Sequence, residues 1–299
     1  MIARFCLLVA CWFGLASRPG VLADEGATSV FTVDDRALRE RFQQELESFQ
    51  DTEGIPRIDP LSSSAPPGFA SAMVLPATTK AGNGKPLSSP EIYRRAVQAT
   101  LIVGRLYQCD KCSKWHSNLA GGVILDPGGI VVTNYHVMKA DRAAVFGAMT
   151  AGGEVFPIAR VLAASEPDDL AIVQLKTGDR RLEFLTIAPG DEAAGTEVRV
   201  VSHPDGRFFT YSAGIVARYY FDPAAKAPRM QITADYARGS SGCGVFNPKG
   251  ELTGIVSSTQ SIYYSQDHDQ QKNLQMVVKS CIPVASLRKL LHGARQPQP

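Results

Sequence analysis

The stretch Arg238-Gly239-Ser240-Ser241-Gly242-Cys243-Gly244 sets a pair of serines between glycines, late in a chain of 299 residues. Glycines there let the backbone turn sharply, expose a hydroxyl and aim amide N–H groups at a developing oxyanion. The same composition also makes an ordinary surface loop. What stands upstream decides between the two, because a serine hydroxyl needs a base, and that base needs a carboxylate to fix its tautomer.

A base stands at His136, in Thr133-Asn134-Tyr135-His136-Val137, directly after the apolar run 130–133. That run predicts a strand, and a strand end is a rigid support for a side chain that must be held accurately. His116, His203, His268 and His292 lack such a setting and read as surface or core histidines. A carboxylate stands at Asp169, at the mouth of Leu170-Ala171-Ile172-Val173-Gln174-Leu175. Taken alone it is a turn residue at a strand start, as Asp168 is. A partly buried aspartate there, however, needs a partner such as an imidazole N–H. The order His136, Asp169, Ser241 is that of chymotrypsin-like barrels. The Gly-x-Ser-x-Gly elbow of α/β-hydrolases, which run Ser…Asp…His, would put its last glycine at Cys243.

The surrounding pattern agrees with barrels. Residues 122–125 and 130–133 flank Asp126-Pro127-Gly128-Gly129, which predicts a hairpin. Further short strands are expected at 100–103, 143–146, 155–161, 170–175, 197–201, 211–219, 230–233, 252–257, 261–264 and 274–278, with a closing helix at 284–291. Many short strands without alternating helices argue for antiparallel barrels or a sandwich.

Thr-Asn-Tyr-His-Val at 133–137, Asp-Leu-Ala-Ile-Val at 169–173 and Gly-Ser-Ser-Gly at 239–242 resemble the signature blocks of trypsin-like serine peptidases. The resemblance is closest to the bacterial exported branch that includes the HtrA (Deg) proteases, and it covers roughly residues 88–293. Supporting blocks are Ala120-Gly121-Gly122-Val123-Ile124, His203-Pro204-Asp205-Gly206, Gly214-Ile215-Val216 and Gly254-Ile255-Val256-Ser257-Ser258. It implies a mainly β fold of two perpendicular six-stranded antiparallel barrels, with the site in the cleft between them. It also implies Ser241 as nucleophile, His136 as general base and acid, and Asp169 as the orienting carboxylate. The N–H groups of Gly239 and Ser241 would form the oxyanion hole, and Ser257-Ser258-Thr259 would pair with an extended polypeptide substrate. Asp235 falls where the family places the base of its specificity pocket. A buried carboxylate there would favour Lys or Arg at the cleavage site, and an exposed turn aspartate is the preferred alternative.

Departures are Cys243-Gly244-Val245 after the core motif and Ser240 before the nucleophile, so activation by an aspartate paired to a freed N-terminus is not expected. With the chain ending soon after the closing helix, no PDZ module is expected to follow. A serine endopeptidase is the leading expectation. A catalytically silent binding protein on the same fold, and an esterase or other acyl hydrolase, stay open beside it.

Upstream of the domain, Met1-Ile2-Ala3-Arg4, an apolar run 5–16 and Val21-Leu22-Ala23 read as an export signal spanning 1–23, too short for a comfortable membrane span. Leu8-Val9-Ala10-Cys11 resembles a lipobox and is the weaker alternative. Residues 24–54 hold an apolar stripe of Leu38, Phe42, Leu46 and Phe49, expected to form a helix that docks on a neighbouring domain or, alternatively, self-associates. Residues 55–87 are Pro/Ser/Gly-rich linker and 294–299 a tail, and Ser89 with Pro90 predicts a helix start. Signal removal takes Arg4 and Arg18 from the 31 basic residues and balances them against the 29 acidic ones, which gives no footprint for nucleic acid. A periplasmic or secreted protein is expected.

Cys109, Cys112, Cys243 and Cys281 remain after signal removal, and four cysteines permit three pairings. Cys109-Asp110-Lys111-Cys112 near His116 is expected to form a local disulfide, with free or redox-active thiols and a metal site as alternatives. Cys243 with Cys281 is a candidate second bridge. Neither a metal nor a cofactor is expected.

Overall fold

A computed structural model describes residues 31–51, 85–109, 111, 112, 114–139, 143–267 and 270–293. The expected export signal, nearly all of the linker, the tail and His268 lie outside the described residues. Among the described residues, no helix is long and apolar enough to cross a membrane.

Among the described residues, twelve strands form two closed barrels of six antiparallel strands each. The first runs β1 (Thr100–Gln108), β2 (Trp115–Ile124), β3 (Ile130–Thr133), β4 (Ala143–Met149), β5 (Val155–Ser165) and β6 (Leu170–Leu175), closed in the order β1-β2-β3-β6-β5-β4. The second runs β7 (Glu197–Ser202), β8 (Thr210–Asp222), β9 (Ala227–Ile232), β10 (Gly244–Phe246), β11 (Leu252–Asp267) and β12 (Gln270–Pro283), closed as β10-β11-β12-β9-β8-β7.

Strands that bury both faces read as unbroken apolar runs, and here successive residues divide between two cores. Leu101, Val131, Ala171 and Val173 fill the first barrel. Val200, Val245 and Val256 fill the second. Their neighbours Ile102, Val132, Ile172, Val201 and Ile255 turn the other way, into a shared cluster that draws on both barrels.

The expected strands at 252–257, 261–264 and 274–278 merge into the long pair β11–β12. Its outer part is a ribbon whose exposed residues carry no buried face for a sequence pattern to report. The three-residue β10 was too short to stand out. Helix α1 (Asp35–Ser48) begins with Asp34 Oδ1 accepting from Ala37 N (2.9 Å), and it buries Leu38, Phe42 and Leu46. Its seat is a cross-strand pair of glycines, Gly104 on β1 and Gly147 on β4. A Cβ on Gly104 would lie 2.8 Å from the Phe42 ring, and one on Gly147 2.6 Å from a Leu46 methyl. The other end of α1 reaches the second half of the chain, where Asp35 Oδ1 accepts from Phe208 N (2.8 Å).

Helix α2 (Ser89–Ala99) is capped one residue earlier than expected, by Ser88. The Glu91 carboxylate accepts from both the N–H (3.1 Å) and the hydroxyl (2.8 Å) of Ser88, which fixes the start there. A short turn, α3 (Tyr135–Met138), follows β3, and α4 (Val284–Gly293) closes the described chain.

Candidate active site

His136 sits on α3, immediately beyond β3, and Asp169 immediately precedes β6. Because β3 and β6 are neighbours, with Thr133 opposite Ala171, the two side chains meet at one barrel edge. His136 Nδ1 lies 2.9 Å from both Asp169 Oδ1 and Oδ2. The His136 N–H also donates to Oδ1 (3.1 Å). Asp169 itself has φ 57°, in the left-handed region that only a few non-glycine residues enter. Asn134 Nδ2 holds that backbone by donating to Asp169 O (2.9 Å). The imidazole side chain is 50% exposed and the carboxylate side chain 16%, so the imidazole faces solvent while its partner is mostly covered.

Ser241 belongs to the loop between β9 and β10, on the second barrel. The loop is pinned to the first barrel by Gly121 N donating to Ser241 O (2.7 Å). Two glycines make its shape: Gly239 has φ 94° and Gly242 φ 84°. A Cβ on Gly242 would also run into Gly121 O and Thr133 Oγ1. Ser240 is fully buried, whereas Ser241 is partly exposed and lines a cleft of about 460 Å³. His136, Gly239, Ala120, Arg238 and Arg39 line the same cleft. The Ser241 hydroxyl donates to Ser257 O (3.2 Å), not to His136. The N–H groups of Gly239 and Ser241 donate to no backbone carbonyl among the described residues.

The other sequence candidates divide. Ser257 is half-buried, and its hydroxyl donates to Asp169 Oδ2 (2.8 Å), a second clamp on the carboxylate that sequence reasoning did not assign. Ser258 and Thr259 are exposed and pair with β12 along one edge. Asp235 is not a buried pocket base. Its side chain is 90% exposed and pairs with Lys279 Nζ (3.3 Å), whose ammonium also donates to Tyr236 O (2.6 Å). Two contributors were missed: Asn134, whose role depends on the β3–β6 pairing, and Arg39, which arrives from α1. No local pattern marks either.

His203 lines the same cleft but is buried. Its Nδ1 accepts from Phe209 N (3.1 Å), so its Nε2 carries the proton and donates to Leu101 O (3.1 Å) on the first barrel. Burial pulls this histidine down to about 4.

Neither expected disulfide is present, since all four described cysteines are free. The sulfurs of Cys109 and Cys112 are 3.4 Å apart, too far for a bond of ~2.05 Å. Cys243 and Cys281 face different neighbours. Cys243 Sγ fills the space beside Gly121, where a Cβ would collide with it, and Cys281 Sγ lies 3.6 Å from the Tyr236 hydroxyl. Burial pushes the Cys243 thiol up and the Cys281 thiol up to about 12, which keeps both protonated and unreactive.

Paired six-stranded barrels with a histidine and an aspartate on one, and a glycine-flanked serine on the other, define the trypsin-like fold. Residues 120–255 match the trypsin-like peptidase domain. The chain is similar to the serine endoprotease DegS of Salmonella typhimurium, with 26% identity over 217 residues, covering 69% of this chain and 59% of the relative. It is also similar to the periplasmic serine endoprotease DegP of Salmonella typhimurium, with 32% identity over 142 residues, covering 46% of this chain and 29% of the relative. DegS of Escherichia coli matches at 26% over 181 residues, 59% of this chain and 49% of its own length. The chain is thus similar to trypsin-like peptidases over residues 120–255 and to relatives named DegS and DegP, and it spans about half the length of the DegS relatives.

Proposed function

We propose that this protein is a serine endopeptidase that cleaves polypeptides through an acyl-enzyme on Ser241. The observation that carries the reading is the 2.9 Å contact of His136 Nδ1 with both oxygens of Asp169, beside the cleft that Ser241 lines. A carboxylate on Nδ1 fixes the proton there and leaves the Nε2 lone pair free to act as a base. For proton transfer the Ser241 hydroxyl must leave Ser257 O and turn toward that nitrogen. The oxygen then attacks the scissile carbonyl, the N–H groups of Gly239 and Ser241 receive the oxyanion, and His136 returns the proton to the leaving amine. Water, activated by the same imidazole, releases the acyl group. Substrate would lie extended along Ser257, Ser258 and Thr259, on the β11 edge that β12 does not occupy.

The same reading includes export of the chain to the periplasm or beyond after cleavage near Ala23 and a peptidase domain over 88–293. The periplasmic label in the name of the DegP relative supports export. One observation favours a second reading, a silent binding protein on this fold: the Ser241 hydroxyl rests on Ser257 O and not on His136. A fluorophosphonate probe decides between them. Labelling of purified protein at Ser241, lost in Ser241→Ala, supports the peptidase. Absence of labelling together with unchanged peptide hydrolysis by Ser241→Ala overturns it.

A further inference from the structure

The β1–β2 hairpin ends in a group of donors that the cleft does not use. Cys109 and Cys112 lie in the turn, and His116 lies on the returning strand opposite Tyr107. Cys109 Sγ is 3.4 Å from Cys112 Sγ and 3.4 Å from His116 Nε2, and Cys112 Sγ is 3.1 Å from the same nitrogen. Three soft or borderline donors therefore form a nearly equilateral triangle with the imidazole nitrogen facing both sulfurs.

We propose that Cys109, Cys112 and His116 bind a zinc ion, with the fourth corner left to solvent. Zinc takes thiolate at ~2.3 Å and imidazole at ~2.0–2.1 Å in a tetrahedron, which puts neighbouring donors ~3.6–3.8 Å apart. The observed edges are within a few tenths of an ångström of that, so a small outward movement of the thiols completes the geometry. Cys-x2-Cys is also the spacing at which two thiolates from one turn share a zinc ion. A disulfide would instead draw the sulfurs together to ~2.05 Å and leave His116 with no role in the group. The ring is steadied by Tyr107, whose centroid is 5.7 Å away. Thiolate with imidazole selects zinc over magnesium or calcium. Two thiolates and a neutral imidazole balance the ion's charge, which suits a partly exposed position.

The position gives the site a consequence. Beyond His116 the same strand continues through Ser117, Asn118, Leu119 and Ala120, all of which line the cleft that holds His136 and Ser241. A bound ion would clamp the hairpin from which that wall is built.

The experiment uses the full mature chain, purified under reducing conditions, with metal content measured after gel filtration and cobalt titrated into the apo form. One zinc per chain is expected, and cobalt should give the thiolate charge-transfer and visible bands of a tetrahedral site. Cys112→Ser and His116→Gln should each weaken binding by ~100-fold or more, at unchanged circular dichroism, since loss of a ligand costs at least as much as loss of a supporting contact. Cobalt spectra without thiolate bands, or variants that bind as tightly as the parent, would overturn the site. So would protein from an exporting host that lacks zinc and is lighter by two hydrogens, with Cys109 bonded to Cys112.

Discussion

His136 and His203 line one cleft and have opposite surroundings. His136 stands on the first barrel, half exposed, with a carboxylate on one ring nitrogen and the other turned to the cleft. His203 stands on the second barrel, fully buried, with a backbone group on each nitrogen, one of them Leu101 O across the barrel interface. A carboxylate partner and solvent on the far side make an imidazole available for proton transfer. Two backbone partners and complete burial make it a neutral strut. Residue type is the same; partner chemistry and burial decide the role.

The contrast breaks most visibly by deleting the first histidine. His136→Ala should lower peptide hydrolysis by about a thousand-fold or more, not additively with Ser241→Ala. Its unfolding free energy, measured in urea, should stay within ~0.5 kcal/mol of the parent, because the residue is half exposed. Equal loss from His203→Ala would erase the distinction. That second change should instead cost about 3 kcal/mol of stability, from a cavity and an orphaned Phe209 N–H, measured by the same unfolding curve.

Acid sharpens the comparison. An unfolded His203 takes a proton near 6.5, while the buried one resists until about 4, so between those values the unfolded chain holds the extra proton. The contribution is therefore fully present above pH 6.5 and is lost as pH falls toward 4, by about 3 kcal/mol. The stability gap between the parent and His203→Gln, measured at several pH values, should narrow as pH falls through that window and stay constant above it.

A smaller effect is expected at Ser257→Ala, which removes one of the clamps on Asp169 and should slow hydrolysis by about 10-fold. Asp235→Asn should do least. The aspartate is exposed, so stability should change by no more than ~0.5 kcal/mol and cleavage preference should stay as it was, read from peptides differing at a single residue.

Barrel-forming strands were legible because residues that face two cores, such as Ile172 and Val173, make dense apolar runs. The three motif blocks were legible because turn glycines and strand ends are local features. Asp235 is the exposed aspartate that its turn setting favoured over a pocket base, and its partner Lys279, distant in sequence, is visible only in the fold. The ribbon of β11 and β12 was read as fragments because exposed strands carry no hydrophobic period.

The choice of Ser241 over Ser240 came from the resemblance of its motif block to trypsin-like peptidases; by itself the sequence determined the class of fold and the order of His136, Asp169 and Ser241. Those depend on periodicity and turn chemistry, which act over a few residues. Only the tertiary structure decided that Ser257 clamps Asp169, that α1 seats on Gly104 and Gly147, that His203 is a strut, and that Cys109 and Cys112 gather around His116 without bonding. Each of these depends on strand pairing or packing between residues with no fixed spacing along the chain, and burial and partners there exist only once the barrels close.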